Sequence, residues 1–124
     1  PQKITMLSHF NSKATDGAAK DFIDKYVAKY GADTLNQFGA SAYDCVYAIY
    51  EAMKTAKANG KEIDANISAD ELCEILKEVF NSDSFTFRGI TGKTEGNEKS
   101  TISWSADGTV QKEAIKYIVK EASN

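Results

Sequence analysis

The sequence contains little histidine, cysteine or proline, and the shortage of histidine limits the chemistry open to the chain. Its 124 residues include one histidine, two cysteines and one proline. Because His9 stands alone, a multi-histidine metal site and most pairs of a nucleophile with a histidine base are excluded. No two carboxylates are marked out as an acid and a base, since the acidic residues fall among lysines on predicted helix surfaces. We therefore expect no enzymatic activity, no catalytic residue, no metal and no cofactor.

The chain also lacks an excess of positive charge and a long apolar run. It carries 15 Lys and Arg against 18 Asp and Glu, a net charge of -3 at pH 7. A mildly acidic surface does not attract nucleic acid or an anionic membrane, so neither is an expected partner. The longest apolar stretch, Cys45 to Met53, is bounded by Asp44, contains Glu51 and is too short to cross a bilayer.

What is present is an ordinary globular composition, with 42% hydrophobic and 27% charged residues. This balance predicts one domain around one core. Cys45 and Cys73 both fall on segments with a helical pattern, and neither has another cysteine or histidine at metal-ligand spacing. We expect them to be buried or half-buried apolar side chains, with a disulfide between them as the alternative.

Helical periodicity dominates the first two thirds of the chain. Ile4 to Leu7 comes before it as a short, almost wholly apolar strand, which favours burial on both faces in a parallel sheet. Ala18 to Tyr30 predicts an amphipathic helix that Gly31 ends. Ala40 to Ala58 predicts a long helix whose apolar residues cover most of its circumference, so we expect it to be largely buried. Ser68 begins a capping box ahead of a third helix.

The last third of the chain alternates with period two, which is typical of strands. Phe85 to Phe87 and Thr101 to Trp104 are the predicted strands, and Asp107-Gly108 is a turn signal that predicts a hairpin. Lys93 to Ser100 is a predicted exposed loop, and Ala114 to Val119 a final strand. This order predicts an α/β or α+β domain of three helices packed on strands, with a C-terminal hairpin. Few central strands are available for pairing, so we expect part of the sheet to lie outside this sequence.

A nucleotide-binding loop can be set aside. Gly89 to Thr94 ends in Gly-Lys-Thr, as a phosphate-binding loop does. That motif also needs a glycine five positions before Gly92, where this chain has Phe87, and a helix directly after it. We therefore expect no bound nucleotide.

Four segments in a fixed order carry a resemblance to a known family. They are Phe22–Gly31 (FIDKYVAKYG), Ala40–Met53 (ASAYDCVYAIYEAM), Phe87–Gly92 (FRGITG) and Ile102–Gly108 (ISWSADG). This set resembles the C-terminal part of the type I periplasmic-binding proteins, the branched-chain amino acid binding proteins of ABC transporters, over nearly the whole chain. Two features depart from the family: residues 93–100 form an insertion, and a tryptophan, Trp104, stands where phenylalanine is common.

The resemblance implies a fold and a role. Members of the family have two α/β lobes joined by three crossover strands, and the lobes close on the ligand by hinge bending. By analogy, residues 1–9 end the second lobe and enter the hinge, residues 10–113 are a segment of the first lobe, and residues 114–124 return to the second lobe. Ser8, His9 and Ala114 are then hinge residues.

The implied protein is the extracellular solute-binding component of an ABC importer. It would pass a small-molecule ligand, an amino acid or a similar small polar solute, to the ABC permease of the same system. It would act on the extracellular face of the cytoplasmic membrane as a lipoprotein, or free in a periplasm. The present chain would be a fragment of it, and we expect such a fragment to self-associate through uncovered strand edges and apolar faces.

The resemblance also implies where a ligand is contacted. Phe38 matches a cleft-lining position, and an aromatic ring at a loop-to-helix junction gives an apolar wall, while amides at the helix start can meet polar groups. Gln37 and Ser41 flank it and carry side chains that can hydrogen-bond a ligand. Two alternatives stay open: Phe38 packs as a staple on the helix start, or the chain is a self-contained α/β protein-interaction or regulatory domain.

Overall fold

The chain has a mixed α/β fold. The structure is a computed structural model and describes residues 4–93 and 99–119. Within those residues it has three α-helices, a 3₁₀ turn at Ala32–Thr34 and five strands. The elements are β1 (Ile4–Ser8), α1 (Gly17–Tyr30), α2 (Gln37–Ala58), α3 (Ala69–Phe80), β2 (Phe87–Gly89), β3 (Ser100–Trp104), β4 (Val110–Gln111) and β5 (Ile115–Val119). Residues 94–98 of the predicted loop, and the chain ends 1–3 and 120–124, lie outside the described residues.

The strands form two small antiparallel sheets. In one, β3 lies between β2 and β4, and the predicted hairpin is confirmed because Trp104 pairs with Val110. In the other, β1 and β5 pair as a two-stranded ribbon, with a register that runs from Ile4 opposite Val119 to Ser8 opposite Ile115. We call this pair the β1–β5 ribbon.

The ribbon corrects the expectation that β1 is buried in a parallel sheet. Its neighbour β5 runs antiparallel to it, and Ile4, Met6 and Leu7 are all exposed, Leu7 to 74%. The apolar sequence of β1 led to the prediction that it is buried. Among the described residues, however, no element covers either face of this strand enough to bury these side chains.

The predicted helix boundaries are set by identifiable caps. Gly31 ends α1 with a left-handed φ of 81°, and its N–H donates to the Val27 carbonyl. The Ser68 hydroxyl accepts the Glu71 N–H at 3.2 Å, which confirms the predicted cap of α3. Helix α2 begins at Gln37, three residues before the predicted start, because the Asn36 side chain caps it.

Helix α2 is not largely buried, so that prediction was wrong. Its buried residues form one row spaced four apart: Ala40, Asp44, Ala48, Ala52 and Ala56. On the opposite side five large side chains are exposed, and we call them the outer α2 face: Tyr43, Val46, Tyr47, Ile49 and Tyr50. The small alanines allow neighbouring elements to come close to the helix, which the bulky residues would prevent.

The row of alanines runs through all three buried clusters of the described residues. Ala52 and Ala56 lie with Phe85 in the first cluster, Ala40 lies with Phe10 in the second, and the third is Ala48 with Phe87 and Ile102. Helix α2 is therefore the central element of the core.

Both cysteines are exposed and free, which corrects the expectation that they are buried and also the alternative of a disulfide. Cys45 lies on α2 beside the outer α2 face, and Cys73 lies on the solvent side of α3. In the described part of the chain no helix is long and apolar enough to cross a membrane.

The hairpin turn contains a carboxylate that should titrate abnormally. The Ser105 hydroxyl and, next, the Thr109 N–H donate to Asp107, and these hydrogen bonds lower the pKa of its carboxyl from 3.8 to about 2. Because the folded pKa is the lower one, the stabilisation is present above pH 3.8 and is lost as the pH falls through about 2.

We predict that the ¹³C carboxyl resonance of Asp107 titrates with a midpoint near pH 2 in the folded chain. In Ser105→Ala the midpoint should move towards 3.8, because the Ser105 hydroxyl is the largest cause of the shift. A wild-type midpoint near 3.8, measured by NMR on protein that circular dichroism shows to be folded, would contradict this account of the turn.

Candidate functional site

A buried carboxylate on α2 lies at the centre of the candidate site. Asp44 is only 5% exposed. Its Oδ1 accepts the Ile90 N–H at 2.9 Å, and its Oδ2 accepts the Thr91 N–H at 2.8 Å and the Thr91 hydroxyl at 2.6 Å. Three donors compensate the carboxylate for its lost hydration. They also fasten α2 to the residues that follow β2, which we call the 90–93 loop.

The last residue of β2, directly before this loop, must be a glycine. A Cβ atom at Gly89 would lie 2.6 Å from Asp44 Oδ2 and 2.7 Å from Ile102 Cδ1, both closer than real Cβ contacts. On the other side of the loop, the buried Ser100 hydroxyl donates to the Gly89 carbonyl at 3.2 Å and also contacts the Thr91 carbonyl. The loop is thus held from α2 and from β3 at once.

The 90–93 loop in turn holds both connections between the helical body and the β1–β5 ribbon. The Gly92 N–H donates to the His9 carbonyl at 2.6 Å, just after β1. The Lys93 N–H donates to the Glu113 carbonyl at 3.0 Å, just before β5. One short loop therefore joins the Asp44 carboxylate to the two places where the chain enters and leaves the ribbon.

The three predicted hinge residues lie at these two connections. Ser8 is the last residue of β1, and its Oγ is 3.0 Å from the Phe10 carbonyl and accepts the Phe10 N–H. The His9 side chain is exposed, while its carbonyl is bonded to Gly92. Ala114 is exposed and directly precedes β5. Their role in hinge bending remains a prediction.

The predicted ligand residues lie at the start of α2 and differ in their exposure. Phe38 is 76% exposed, Gln37 is exposed and Ser41 is half-buried. Gln37 Oε1 lies 3.4 Å from the Ser8 Oγ, which brings one predicted ligand residue beside one predicted hinge residue.

Two expectations about this turn were wrong. Phe38 does not act as a staple, because a ring so exposed packs little against the helix start. The Phe38 and Gly39 amides are not available to bind a ligand, because both donate to Asn36 Oδ1 at 2.9 Å. The side chain of Asn36 occupies the donors that the sequence assigned to ligand binding.

A groove that sequence reasoning missed lies between α1 and α2. It has a volume of about 330 Å³, and Phe22, Tyr26, Tyr43 and Ile90 contribute apolar lining. Burial, and then the hydrogen bond with Tyr47, raise the pKa of the Tyr43 hydroxyl. Phe38, Gln37 and Ser41 are not part of its lining.

The role of Asp44 also went unpredicted, although the sequence contains a signal for it. Asp44 occupies the place of an alanine in the row from Ala40 to Ala56. An acidic residue within a row of small apolar residues points to a buried polar contact. As for metal ligands, no group of three or more His, Cys, Asp or Glu in residues 4–93 and 99–119 is placed to hold an ion.

In comparisons with protein-family models, curated proteins and solved structures, nothing matches this chain. The resemblance rests on its motifs alone.

We predict that Gly89→Ala lowers the free energy of unfolding by about 2 kcal/mol or more, because its Cβ would overlap the Asp44 carboxylate and Ile102. Urea unfolding followed by Trp104 fluorescence and circular dichroism would measure the loss.

Gly39→Ala is the matched control. At this helical position a Cβ meets nothing closer than 3.9 Å, so we expect unchanged stability or a gain of up to about 1 kcal/mol. Equal stability of Gly89→Ala and the wild type would show that the carboxylate does not lie against residue 89.

Proposed function

We propose that this chain forms one wall of a ligand cleft, with the adjoining hinge connections, in an extracellular solute-binding protein of an ABC importer. The observation that carries the proposal is the arrangement of the two connections at residues 8–10 and 112–115. They lie side by side, and each is bonded to the 90–93 loop. Paired crossings from a compact body into a separate ribbon are what a hinge between two lobes requires.

The ligand wall adjoins this hinge. Phe38 presents an exposed ring on the first turn of α2, and its neighbour Gln37 reaches Ser8 at the end of β1. A small polar solute with an apolar side chain, such as an amino acid, suits an aromatic wall with nearby hydrogen-bonding groups. The second wall would come from the lobe that continues from the ribbon, and closure about the hinge would bring it over Phe38.

Exposed apolar surface supports the presence of further covering polypeptide. The ribbon exposes Ile4, Met6, Leu7 and Ile118, and the outer α2 face adds five more large side chains. Soluble monomers rarely expose contiguous apolar patches of this kind. In this proposal the second lobe covers the ribbon, and the rest of the first lobe covers the outer α2 face.

The proposed partners follow from the family. They are a small-molecule ligand, an amino acid in the first instance, and the ABC permease that receives it. The proposed location is the extracellular face of the cytoplasmic membrane, with a lipid anchor, or a periplasm. No cofactor or catalysis is part of the proposal.

The alternative is a self-contained α/β interaction or regulatory domain, and the outer α2 face favours it. Five adjacent large side chains on one helix are the kind of surface that docks a partner protein. The two functions differ in what covers this face: the same polypeptide in the receptor, a different protein in the interaction domain.

We predict that the protein encoded by the complete reading frame that contains these residues binds an L-amino acid, and that Phe38→Ala weakens binding about tenfold through loss of the apolar wall. Isothermal calorimetry against a panel of amino acids measures both. The 124-residue chain alone should bind far more weakly, because it supplies only one wall.

Tyr50→Ala is the control, since Tyr50 is another exposed aromatic on α2 but lies about three turns beyond Phe38. It should leave the affinity unchanged. Full affinity in Phe38→Ala would remove Phe38 from the site, and the absence of binding to any member of the panel would contradict amino-acid transport.

We also predict that the 124-residue chain self-associates and that the double variant Val46→Glu/Ile49→Glu is shifted towards monomer, because two charges on the outer α2 face oppose its burial. Sedimentation velocity over a concentration series is the measurement.

Ala65→Glu/Ala69→Glu adds the same charge at two exposed positions away from this face and should associate like the wild type. A wild-type chain that stays monomeric at all concentrations would contradict the proposal that further polypeptide covers the outer α2 face and the ribbon. It would favour the self-contained domain.

A further inference from the structure

The groove between α1 and α2 has a floor of aromatic rings. Phe22 connects two of them, since its ring centroid lies 4.9 Å from that of Tyr43 and 5.6 Å from that of Tyr26. Tyr26 is held in turn, because its hydroxyl donates to the Thr34 carbonyl at 3.2 Å. The floor is therefore a fixed apolar surface, of the kind that packs against an apolar side chain.

The rim of the groove is positively charged, although the chain as a whole has a net charge of -3. Three exposed lysines contribute to the lining: Lys25, Lys29 and Lys99. None of their ammonium groups forms an ion pair with another residue in the described part of the chain. Unpaired cations beside an apolar floor attract an anion that also has an apolar part.

A second depression continues from this groove along α2. It has a volume of about 220 Å³ and shares Tyr43, Ile90 and Lys99 with the groove, and Arg88 adds another cation to its lining. We call the two together the extended groove. Two open depressions that meet in this way suit an extended polypeptide segment better than a compact small molecule, which needs a more enclosed site.

The carboxylates of the extended groove do not cancel its positive charge. Glu51 pairs with Lys54 at 2.9 Å, and Asp44 is buried with three hydrogen-bond donors of its own. Among the described residues of the lining, Asp21 is then the one exposed carboxylate without a charged partner. A single negative charge does not balance three lysines, so the complementary partner carries negative charge.

We propose that the extended groove binds an acidic polypeptide segment, with an aromatic or branched apolar side chain on the aromatic floor and carboxylates beside Lys25 and Lys29. An acidic segment is favoured over a neutral one, because covering unpaired ammonium groups with a neutral chain costs free energy. The inference rests on the proposed function for the source of this segment, which in the receptor is the rest of the first lobe. It adds the chemistry of the polypeptide that covers this side of α2.

The test is fluorescence anisotropy of labelled peptides that are titrated with the 124-residue chain. The acidic probe is Glu-Glu-Phe-Glu-Glu-Leu-Glu-Glu. In a second probe lysine replaces every glutamate, and in a third serine replaces the phenylalanine and the leucine. The chain is added only over the concentrations at which sedimentation velocity finds monomer, and the initial slope of each titration gives the relative affinity.

We expect the acidic probe to bind about tenfold more tightly than either of the others, because it alone meets both the lysines and the aromatic floor. Lys25→Gln/Lys29→Gln should weaken its binding about fivefold through loss of two exposed ion pairs. Lys57→Gln/Lys116→Gln is the matched control, since it removes the same charge from exposed lysines outside the lining. At about 0.15 M ionic strength, screening should keep its effect below about twofold.

Equal affinity for the acidic and the lysine probe would overturn the proposal, and so would equal losses in the two double variants, which would show attraction to overall charge alone. Equal affinity for the serine probe would remove the aromatic floor from the site. A second copy of the chain is the other candidate occupant. If Lys25→Gln/Lys29→Gln abolishes self-association in sedimentation velocity while no probe binds, the extended groove takes another copy and the proposal is wrong.

All four substituted lysines are exposed, so the variants should keep the fold, which circular dichroism checks. The experiment uses no amino-acid ligand and does not need the complete protein. Failure of the probes to bind would therefore leave amino-acid binding by the complete protein untouched. Conversely, a complete protein that binds no amino acid would leave the preference of this groove for an acidic segment intact.

Discussion

The burial of the Asp44 carboxylate is the interaction on which the rest of the structure depends. A buried charge is costly unless it is fully hydrogen-bonded, and here the Ile90 and Thr91 amides and the Thr91 hydroxyl satisfy it. Those donors are in place only when the 90–93 loop lies against α2. Once it does, the Gly92 and Lys93 amides face the carbonyls of His9 and Glu113. A single side chain thus fixes α2, the small sheet and both connections to the ribbon.

The architecture divides into a packed body and a lightly held ribbon. The body is organised on the alanine row of α2, which approaches α3 and β2 closely enough for three buried clusters to form along it. The ribbon, by contrast, is joined to the body at two connections and exposes Ile4, Met6, Leu7 and Ile118. This division suits a hinge, because motion is cheapest where few buried contacts must be broken.

Local features of the fold could be predicted from sequence because their causes are local. Gly31 and Ser68 mark helix ends through their own backbone or hydroxyl, and Asp107-Gly108 sets a turn with residues at most two positions away. Burial could not be predicted as well. Helix α2 has apolar residues around most of its circumference, and periodicity alone does not say that the alanine side, rather than the tyrosine side, receives the neighbouring elements.

The same contrast between local and long-range causes applies to the candidate site. Phe38 was assigned from the family resemblance, and the structure leaves its ring exposed on the first turn of α2, next in sequence to Gln37. The Asp44 contacts were not predicted because their partners are 46 and 47 residues away in the chain. The pairing of β1 with β5 joins the two ends of the described chain, so an apolar run at one end gave no information on its neighbour.

Native-state amide hydrogen exchange in the wild type and in Asp44→Asn tests the central role of the carboxylate most directly. The account predicts that protection at the Ile90 and Thr91 amides falls roughly tenfold or more, since each loses a charged acceptor. The Gly92 and Lys93 amides should lose protection with them, while the Val79 amide in α3 keeps its own. Unchanged exchange at Ile90 and Thr91 in folded Asp44→Asn would contradict the account.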